Sequence, residues 1–317
     1  MPVPDLKPSL VACYFDGMDG ATIWPRLARV LAYTASQHCP GWDVQIQATT
    51  PAPLKSALGI ISHVHNTQKM EHWYEAVQRA PDGARLLLID ADTMILRSLD
   101  DVWTGEFFDY AYTTKKSKYP FNSGVVFLRV SDRTRAFMKT WRDENVRMLG
   151  DRVHHQVWRR KYGGINQAAL GFALESSLTA GLTVRQLPCL EWNCEDNSWP
   201  SFDPAVTRIV HLKSALRRAA LSIGPNLPVH RPLVTRWRRL EREATAANEP
   251  AVEAPAINPS TGATLDVSGL TQRLNLCLTV EEYDALCRLA IQRDVPVTRL
   301  GRMAIRRYLG APTPLPR

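Results

Sequence analysis

Arg85-Leu86-Leu87-Leu88-Ile89-Asp90-Ala91-Asp92-Thr93-Met94-Ile95-Leu96 sets an apolar run directly before two carboxylates one residue apart. Leu86 to Ile89 is too short for a helix, and Pro81-Asp82-Gly83 marks a turn upstream. The run therefore reads as a strand buried on both faces, the pattern of a mostly parallel sheet. In open α/β sheets ligands bind beyond the carboxyl ends of the strands, which is where Asp90 and Asp92 fall. Taking carboxylates out of water is costly unless a partner compensates. Hard oxygen ligands suit Mg²⁺ or Mn²⁺, ions that also bridge to substrate phosphates. Two readings stand at this point: solvated aspartates closing a strand, or part of a cation site.

Upstream, Leu10 to Phe15 reads as a first strand, ended by Asp16-Gly17-Met18-Asp19-Gly20. Thr22 can cap a helix to about His38, with Pro25 in its first turn. Ile23, Leu27, Val30, Leu31 and Thr34 share one helical face. Trp42 to Ala48 alternates as a second strand, and Thr67 to Ala80 is a helix with Met70, Trp73, Tyr74 and Val77 as its stripe. His63-Val64-His65 alternates like a strand or loop pair. Downstream, Phe108 to Thr113 is strand-like, and Phe121-Asn122-Ser123-Gly124 reads as a tight turn entering an apolar strand, the glycine permitting close backbone approach. Ser131 to Leu149 has helical spacing. His154-His155 sits in a polar basic stretch that reads as solvent-facing. Gly163-Gly164-Ile165-Asn166-Gln167 opens another helix-like stretch to Leu174. Arg208 to Lys213 is an apolar strand delivering an imidazole and an ammonium. Alternating strands and helices of this kind open a nucleotide-binding α/β domain.

At 317 residues and net charge +8 the chain has room for one large domain and a small one. No apolar run is long enough to span a membrane. The opening Met-Pro-Val-Pro-Asp-Leu-Lys-Pro lacks the apolar core of a secretory signal. Cys13, Cys39, Cys189, Cys194, Cys277 and Cys287 follow no zinc-ligand spacing, and a disulfide framework does not suit so long a chain. The expected setting is a reducing cytoplasm, bacterial or of a phage-infected host. Between Arg208 and Leu240 stand eight Lys or Arg and no acid, which fits either a polyanionic partner or a solvated basic face.

Leu88-Ile89-Asp90-Ala91-Asp92-Thr93, Phe121-Asn122-Ser123-Gly124, Asn166-Gln167, Trp192-Asn193 and Val210-His211-Leu212-Lys213, in that order, resemble the glycogenin-like, retaining nucleotide-sugar glycosyltransferases of the A-type fold. The resemblance spans roughly residues 8 to 220. It implies a Rossmann-like mixed sheet flanked by helices and a donor nucleotide-sugar, a UDP-sugar above others. It implies that Asp90, Asp92 and His211 bind the metal, which clamps the donor diphosphate. Lys213 and Arg217 then fall where the family places a phosphate-binding cation. Asn122, Ser123 and Gly124 would line the sugar pocket beside Ala91, with Gln167 facing the reacting sugar. The family usually carries Asp where Asn166 stands, and a glycine-containing turn with Lys-Pro-Trp where Ser214-Ala215-Leu216-Arg217 stands. Lys69, on the helix before the central strand, is either a donor contact or a solvated lysine. A metal with fixed cations is also what elementary chemistry asks of a site that must stabilise a leaving diphosphate.

Composition changes past residue 243. Residues 244–265 read as a linker rich in Ala, Pro, Asn, Glu and Ser. Residues 266–317 offer one alternating strand, Gln272 to Leu278, and two capped helices, too little for a core of their own. Their order resembles the ribbon-helix-helix family of dimeric DNA-binding modules, in which paired strands enter the major groove. By that resemblance Arg273, Asn275 and Cys277 face the bases, and the helix start at Thr298 with Arg299 meets phosphate. The joint expectation is a homodimeric, metal-dependent transferase that places sugar on DNA, at a hydroxyl of a modified hydroxymethylpyrimidine flipped out of the duplex. The alternatives are a protein, glycan or lipid acceptor with the tail only dimerising, or a regulator that senses nucleotide-sugar without turnover.

Overall fold

A computed structural model describes residues 6–15, 23–51, 54–176 and 181–248. Thr22, most of the expected linker and the whole ribbon-helix-helix expectation, with Arg273, Asn275, Cys277, Thr298 and Arg299, lie outside the described residues. In chain order the elements are β1 (Ser9–Phe15), α1 (Ile23–His38), β2 (Asp43–Thr49), α2 (Ile61–Arg79), β3 (Arg85–Ile89), β4 (Thr93–Ile95), β5 (Tyr110–Thr114), β6 (Phe121–Arg129), α3 (Asp132–Gly150), α4 (Arg152–Tyr162), α5 (Ile165–Glu175), β7 (Val184–Pro188), α6 (Cys189–Trp192), β8 (Ile209–His211), α7 (Ser214–Ala220) and α8 (Arg231–Asn248).

Six strands form one mixed sheet in the order β2-β1-β3-β6-β5-β7. β1 pairs parallel with β2 and with β3, and β5 pairs parallel with β7. β6 is inserted antiparallel to both its neighbours. Leu86 and Leu88 face a core shared with Trp73, Phe137 and Trp141, while Leu87 and Ile89 face Leu31, Phe127 and Trp192 on the other side. The central strand is therefore buried on both faces, and each such side chain contributes about 1.5–3 kcal/mol. α3 starts where the sequence allows it: Ser131 accepts from the Thr134 backbone N–H, and Thr134 Oγ1 accepts from Ser131 N.

β4 and β8 form a separate two-stranded antiparallel ladder in which Thr93 stands opposite His211. This pairing brings the imidazole back to the two aspartates. Three residues between Asp92 and Leu96 are too few to show a strand period, so β4 is not legible from pattern alone.

Several sequence expectations are corrected. α2 starts at Ile61, and His63-Val64-His65 lies inside it with all three side chains buried. The helix is covered on more than one stripe, so polar residues sit inward and the apolar period blurs. Asn122-Ser123-Gly124 is not a turn but the first part of β6. His154-His155 belongs to α4, and His155 is buried against His63 rather than facing water. Burial, then His63, Arg159 and His154, push the His155 imidazole down to about 4. α8 runs through Asn248 with Leu233, Val234, Trp237, Leu240 and Ala244 buried, so the domain continues past residue 243. Arg26 Nε on α1 meets Glu241 Oε1 on α8 at 2.5 Å. The basic run also divides. Arg208 is held by Glu191 and Asp101, Lys213 by Glu195 and Arg217 by Asp92, while Arg218, Arg231, Arg238 and Arg239 are exposed. No helix among the described residues is long and apolar enough to cross a membrane.

Candidate active site

β3 ends at Ile89, and the chain then turns through Asp90-Ala91-Asp92 into β4. The turn is fixed by backbone. Asp90 N donates to Gly124 O at 2.9 Å and Leu212 N donates to Asp92 O at 2.7 Å. Thr93 Oγ1 donates back to Asp90 O at 2.8 Å. Both carboxylates are thus aimed from a rigid edge, and β8 sets His211 beside them. His211 Nε2 lies 3.1 Å from Asp92 Oδ1 and 3.5 Å from Asp90 Oδ2. One ligand atom from each of Asp90, Asp92 and His211 lies within 4.8 Å of the others.

The other ring nitrogen settles the tautomer. His211 Nδ1 is 3.1 Å from Asn193 Oδ1. Asn193 Nδ2 donates to Thr113 Oγ1 at 2.9 Å, and Thr113 Oγ1 donates to Asn122 O at 3.0 Å. A backbone carbonyl can only accept, so every donor in the chain is assigned and Nδ1 carries the proton. In the neutral ring Nε2 then presents its lone pair to two carboxylate oxygens. Such an arrangement calls for positive charge between them, as a proton on the ring or as a cation bound by all three groups. Backing of a ligand histidine through its second nitrogen is a standard device of metal sites. The donor set of two carboxylates and one imidazole fits Mn²⁺ or Mg²⁺.

Gly124 explains the Asn-Ser-Gly sequence. Between Tyr112 and Thr113 the β5–β6 register shifts from Val126 to Asn122, a bulge that pushes Ser123-Gly124 toward the end of β3. A Cβ at Gly124 would lie 2.5 Å from His211 Cε1 and 2.6 Å from Asp90 Oδ2. Asn122 Oδ1 accepts from Gly124 N at 2.8 Å and holds the bulge. Gly124→Ala is expected to force the imidazole and the Asp90 carboxylate apart and to weaken Mn²⁺ binding by about 10–100-fold, the scale of a disturbed metal environment. Titration with Mn²⁺ followed by electron paramagnetic resonance reads this directly, and unchanged affinity would remove Gly124 from the site.

Two cations take the outer oxygens of the pair. Lys69 Nζ on α2 bonds Asp90 Oδ1, so Lys69 is buried and ion-paired rather than solvated. It also lies 4.5 Å from the Trp73 ring centre. Arg217 Nη1 lies 2.9 Å from Asp92 Oδ2 and its guanidinium 5.0 Å from the Trp24 ring centre. Burial alone would raise the Asp92 carboxyl; His211, then Arg217 and Lys69, outweigh it and hold the group well below the usual carboxylate range.

These groups line a cleft of about 640 Å³ at the carboxyl edge of the sheet. Ala91, Asn122, Ser123, Asn166, Gln167 and Lys213 border it with the charged groups above. Gln167, on the first turn of α5, donates through Nε2 to Phe121 O at 2.7 Å. Asn166 meets Asn145 at 2.6 Å and is buried. The cleft thus gathers the donor-side and metal-side residues singled out in the first 243 positions except Gly124, which is not among its lining residues. Lys213 is there too, but its ammonium is engaged: Nζ is 3.1 Å from Glu195 Oε2 and 3.8 Å from Asp196 Oδ1.

Sequence reasoning gave Asn193 no role of its own and missed Thr113, Lys115 and Glu195. Lys115 Nζ meets Glu195 Oε1 at 2.7 Å, so one buried carboxylate holds two lysines. The available signal was Asn193-Cys194-Glu195-Asp196, a polar and acidic cluster inside a stretch that otherwise looks irregular.

No protein-family model matches the chain, and no curated protein matches it in sequence. Among solved structures the chain is similar to a glycosyltransferase involved in the glycosylation of the major capsid of PBCV-1, with 11% identity and TM-score 0.48 over 75% of this chain and 99% of that one. It is also similar to the glycosyltransferase GlyE of Streptococcus pneumoniae TIGR4, with 12% identity and TM-score 0.44 over 77% of this chain and 64% of that one. The galactosyltransferase LgtC, solved with donor and acceptor sugar analogues, gives 13% identity and TM-score 0.43 over 77% and 98%.

Proposed function

We propose that the described domain transfers a sugar from a nucleotide-sugar, with a divalent ion held by Asp90, Asp92 and His211. The observation that carries this is the tautomer-fixed imidazole aimed at two carboxylates in a cleft rimmed with cations. When bound, Mn²⁺ or Mg²⁺ supplies the charge that offsets the negative charge developing on the leaving diphosphate. The chain itself supplies Lys69, Lys213 and Arg217 around the same place, fixed cations of the kind that stabilise such charge. A UDP-sugar is the donor we favour. Gln167 and Asn166, at the α5 N-terminus, line the same cleft as the metal groups and are the side chains we assign to the sugar. Among the described residues the cleft carries no carboxylate besides Asp90 and Asp92. Transfer with retention is the outcome we favour, on the resemblance to the retaining A-type glycosyltransferases alone.

For the acceptor, a hydroxyl of a glycan or protein is the simpler proposal. Three of the cations that suggested a polyanion are engaged inside the domain, and the residues proposed to read DNA are not among those described. Hydroxymethylated DNA and a homodimeric tail remain arms of the same experiment. The full chain is incubated with a panel of nucleotide-sugars and Mn²⁺, and release of sugar to water is followed by mass spectrometry. Glycan, protein, plain DNA and hydroxymethylated DNA are then added in turn. The expected result is Mn²⁺-dependent loss of one donor and a mass gain on one acceptor. No breakdown of any donor, with or without acceptor, would overturn the proposal.

A further inference from the structure

The carboxyl edge of the sheet carries a second hollow, of about 580 Å³, that shares no lining residue with the donor cleft. β3, β5 and β7 run the same way, so Thr114 and Pro188, at the ends of β5 and β7, lie at the same edge as Asp90. The partitions between hollow and cleft are thin. Phe121 lines the hollow and Asn122 the cleft, and Gln167 holds the Phe121 carbonyl from the cleft side. Tyr162 lines the hollow and Gly164 the cleft. Between them Gly163, at φ 94°, makes room for Tyr119, whose ring a Cβ there would approach to 3.2 Å. Lys115 lines the hollow and Lys213 the cleft, and both sit on Glu195.

The floor of the hollow is aromatic. Ring centres lie 5.5 Å apart for Tyr112 and Phe121 and 4.9 Å apart for Phe121 and Tyr162. These rings pack on one another and are at most 8% exposed, so they give an apolar floor and no open face for a stacked base. Pro120 and Pro188 wall it, and Gln186 and Thr114 bring an amide and a hydroxyl. The charge at the rim is positive. Lys115 is spent on Glu195 and Lys161 on Glu175. Lys116 and Lys118, on the hairpin from β5 to β6, are exposed and make no ion pair among the described residues. Apolar walls with a few polar groups are the pattern of a small-ligand site. Here the walls suit the C–H faces of a pyranose, the amide and hydroxyl its hydroxyl rim, and the ammonium groups an anionic substituent. Resting on the transferase reading above, we propose that the hollow holds the unreacting part of the acceptor, and that this acceptor is an anionic saccharide bearing carboxylate or phosphate. Its reacting hydroxyl crosses the ridge at Tyr119 and Gly163 into the cleft.

The full chain, with Mn²⁺ and UDP present, is titrated by calorimetry with maltotetraose, its phosphorylated form, a hyaluronan tetrasaccharide and a DNA oligonucleotide. Wild type is expected to bind the two acidic saccharides at least about fivefold more tightly than maltotetraose at roughly 0.1 M salt, the scale of one exposed charge pair. Lys116→Glu together with Lys118→Glu should remove that preference and leave maltotetraose binding in place. Gln186→Trp, which fills the hollow from an exposed position, should weaken all three by about 5–150-fold, the range for bulk forced into occupied space. Melting temperature checks that each variant is folded. Equal binding of acidic and neutral saccharides overturns the anionic class. No saccharide binding, or binding that Gln186→Trp leaves unchanged, overturns the hollow. Binding of the oligonucleotide alone, lost in Gln186→Trp, overturns the saccharide in favour of DNA. In each of these cases Mn²⁺-dependent donor breakdown in water, measured on the same wild-type preparation, leaves the transferase proposal standing. If that breakdown is absent, the transferase proposal falls and the acceptor role with it.

Discussion

Asp92→Asn is expected to lower Mn²⁺-dependent sugar release at least about 100-fold, the upper end of what removing a mere supporting partner of a metal ligand costs. Asp92 is asked to do three things in the structure. It faces His211 Nε2, it holds Arg217, and its own backbone carbonyl ties β4 to the residue after β8. The amide keeps the last and loses the first two. A neutral Asn oxygen is a weaker ligand for a hard divalent ion than a carboxylate, and its NH₂ group can only oppose a second cation. Arg217 loses its ion-pair partner but is partly exposed and can turn to water, so the protein should stay folded. Two readouts separate the causes. Melting temperature reports the fold, and Mn²⁺ affinity reports the ligand. A normal melt, weakened Mn²⁺ binding and lost turnover together are the expected set. Turnover at the wild-type level would take Asp92 out of the reaction altogether.

Parts of this site are legible in the chain because they are local. Leu86 to Asp92 announces a buried strand ending in two acids, and the structure keeps that strand buried on both sides. His211 is legible only as the polar end of an apolar strand; that it meets Asp92 depends on a three-residue ladder, β4 against β8, which no periodicity reveals. Gly124 was read correctly as close approach and wrongly as a turn, because a bulge inside a strand and a tight turn use the same residues. Lys69 looks solvated in sequence because a lysine on a helix usually is. Its burial follows from α2 being packed between the sheet and α3, a tertiary fact. His155 was misread for the same reason. The arginines from 208 to 239 looked like a surface feature because counting charges in one segment ignores the acids that other segments bring. Asp101 and Glu191 come from elsewhere in the chain to meet Arg208, and Glu195 meets Lys213. α8 was legible in principle, since Leu233, Trp237, Leu240 and Ala244 keep helical spacing, but the basic residues between them drew the eye to charge.

Glu195→Gln should produce the largest loss of stability among the polar changes near the cleft, about 3–5 kcal/mol, seen as a melting temperature lower by roughly 10 °C. Glu195 is fully buried and shares its oxygens between Lys115 at 2.7 Å and Lys213 at 3.1 Å. Gln keeps the shape and removes the charge, which leaves two ammonium groups close together with only Asp196 to answer them. Lys115 has a side chain 9% exposed and no easy way out to solvent. Adding Lys115→Met to Glu195→Gln should therefore recover part of the loss, since a buried charge without a partner costs more than an apolar side chain of similar length. Failure of the second change to recover anything would show that the lysines are solvated and the network contributes little. Acid should act on the same group. Burial raises the Glu195 carboxyl, but the hydrogen bonds from Asp196 and Lys115 and the charge of Lys213 bring it down to about 2, while Asp196 beside it is raised. A depressed carboxyl adds stability that is complete above its ordinary 4.5 and is lost as pH falls through about 2. Wild type should therefore lose stability steadily across that window, and Glu195→Gln should show a flatter profile there because its loss is already present at neutral pH. Since Lys213 borders the cleft, the same substitution also frees an ammonium toward the proposed diphosphate. Nucleotide affinity measured at a temperature well below the melt should then hold or rise even as the fold weakens, which separates the structural role of Glu195 from any direct part in binding.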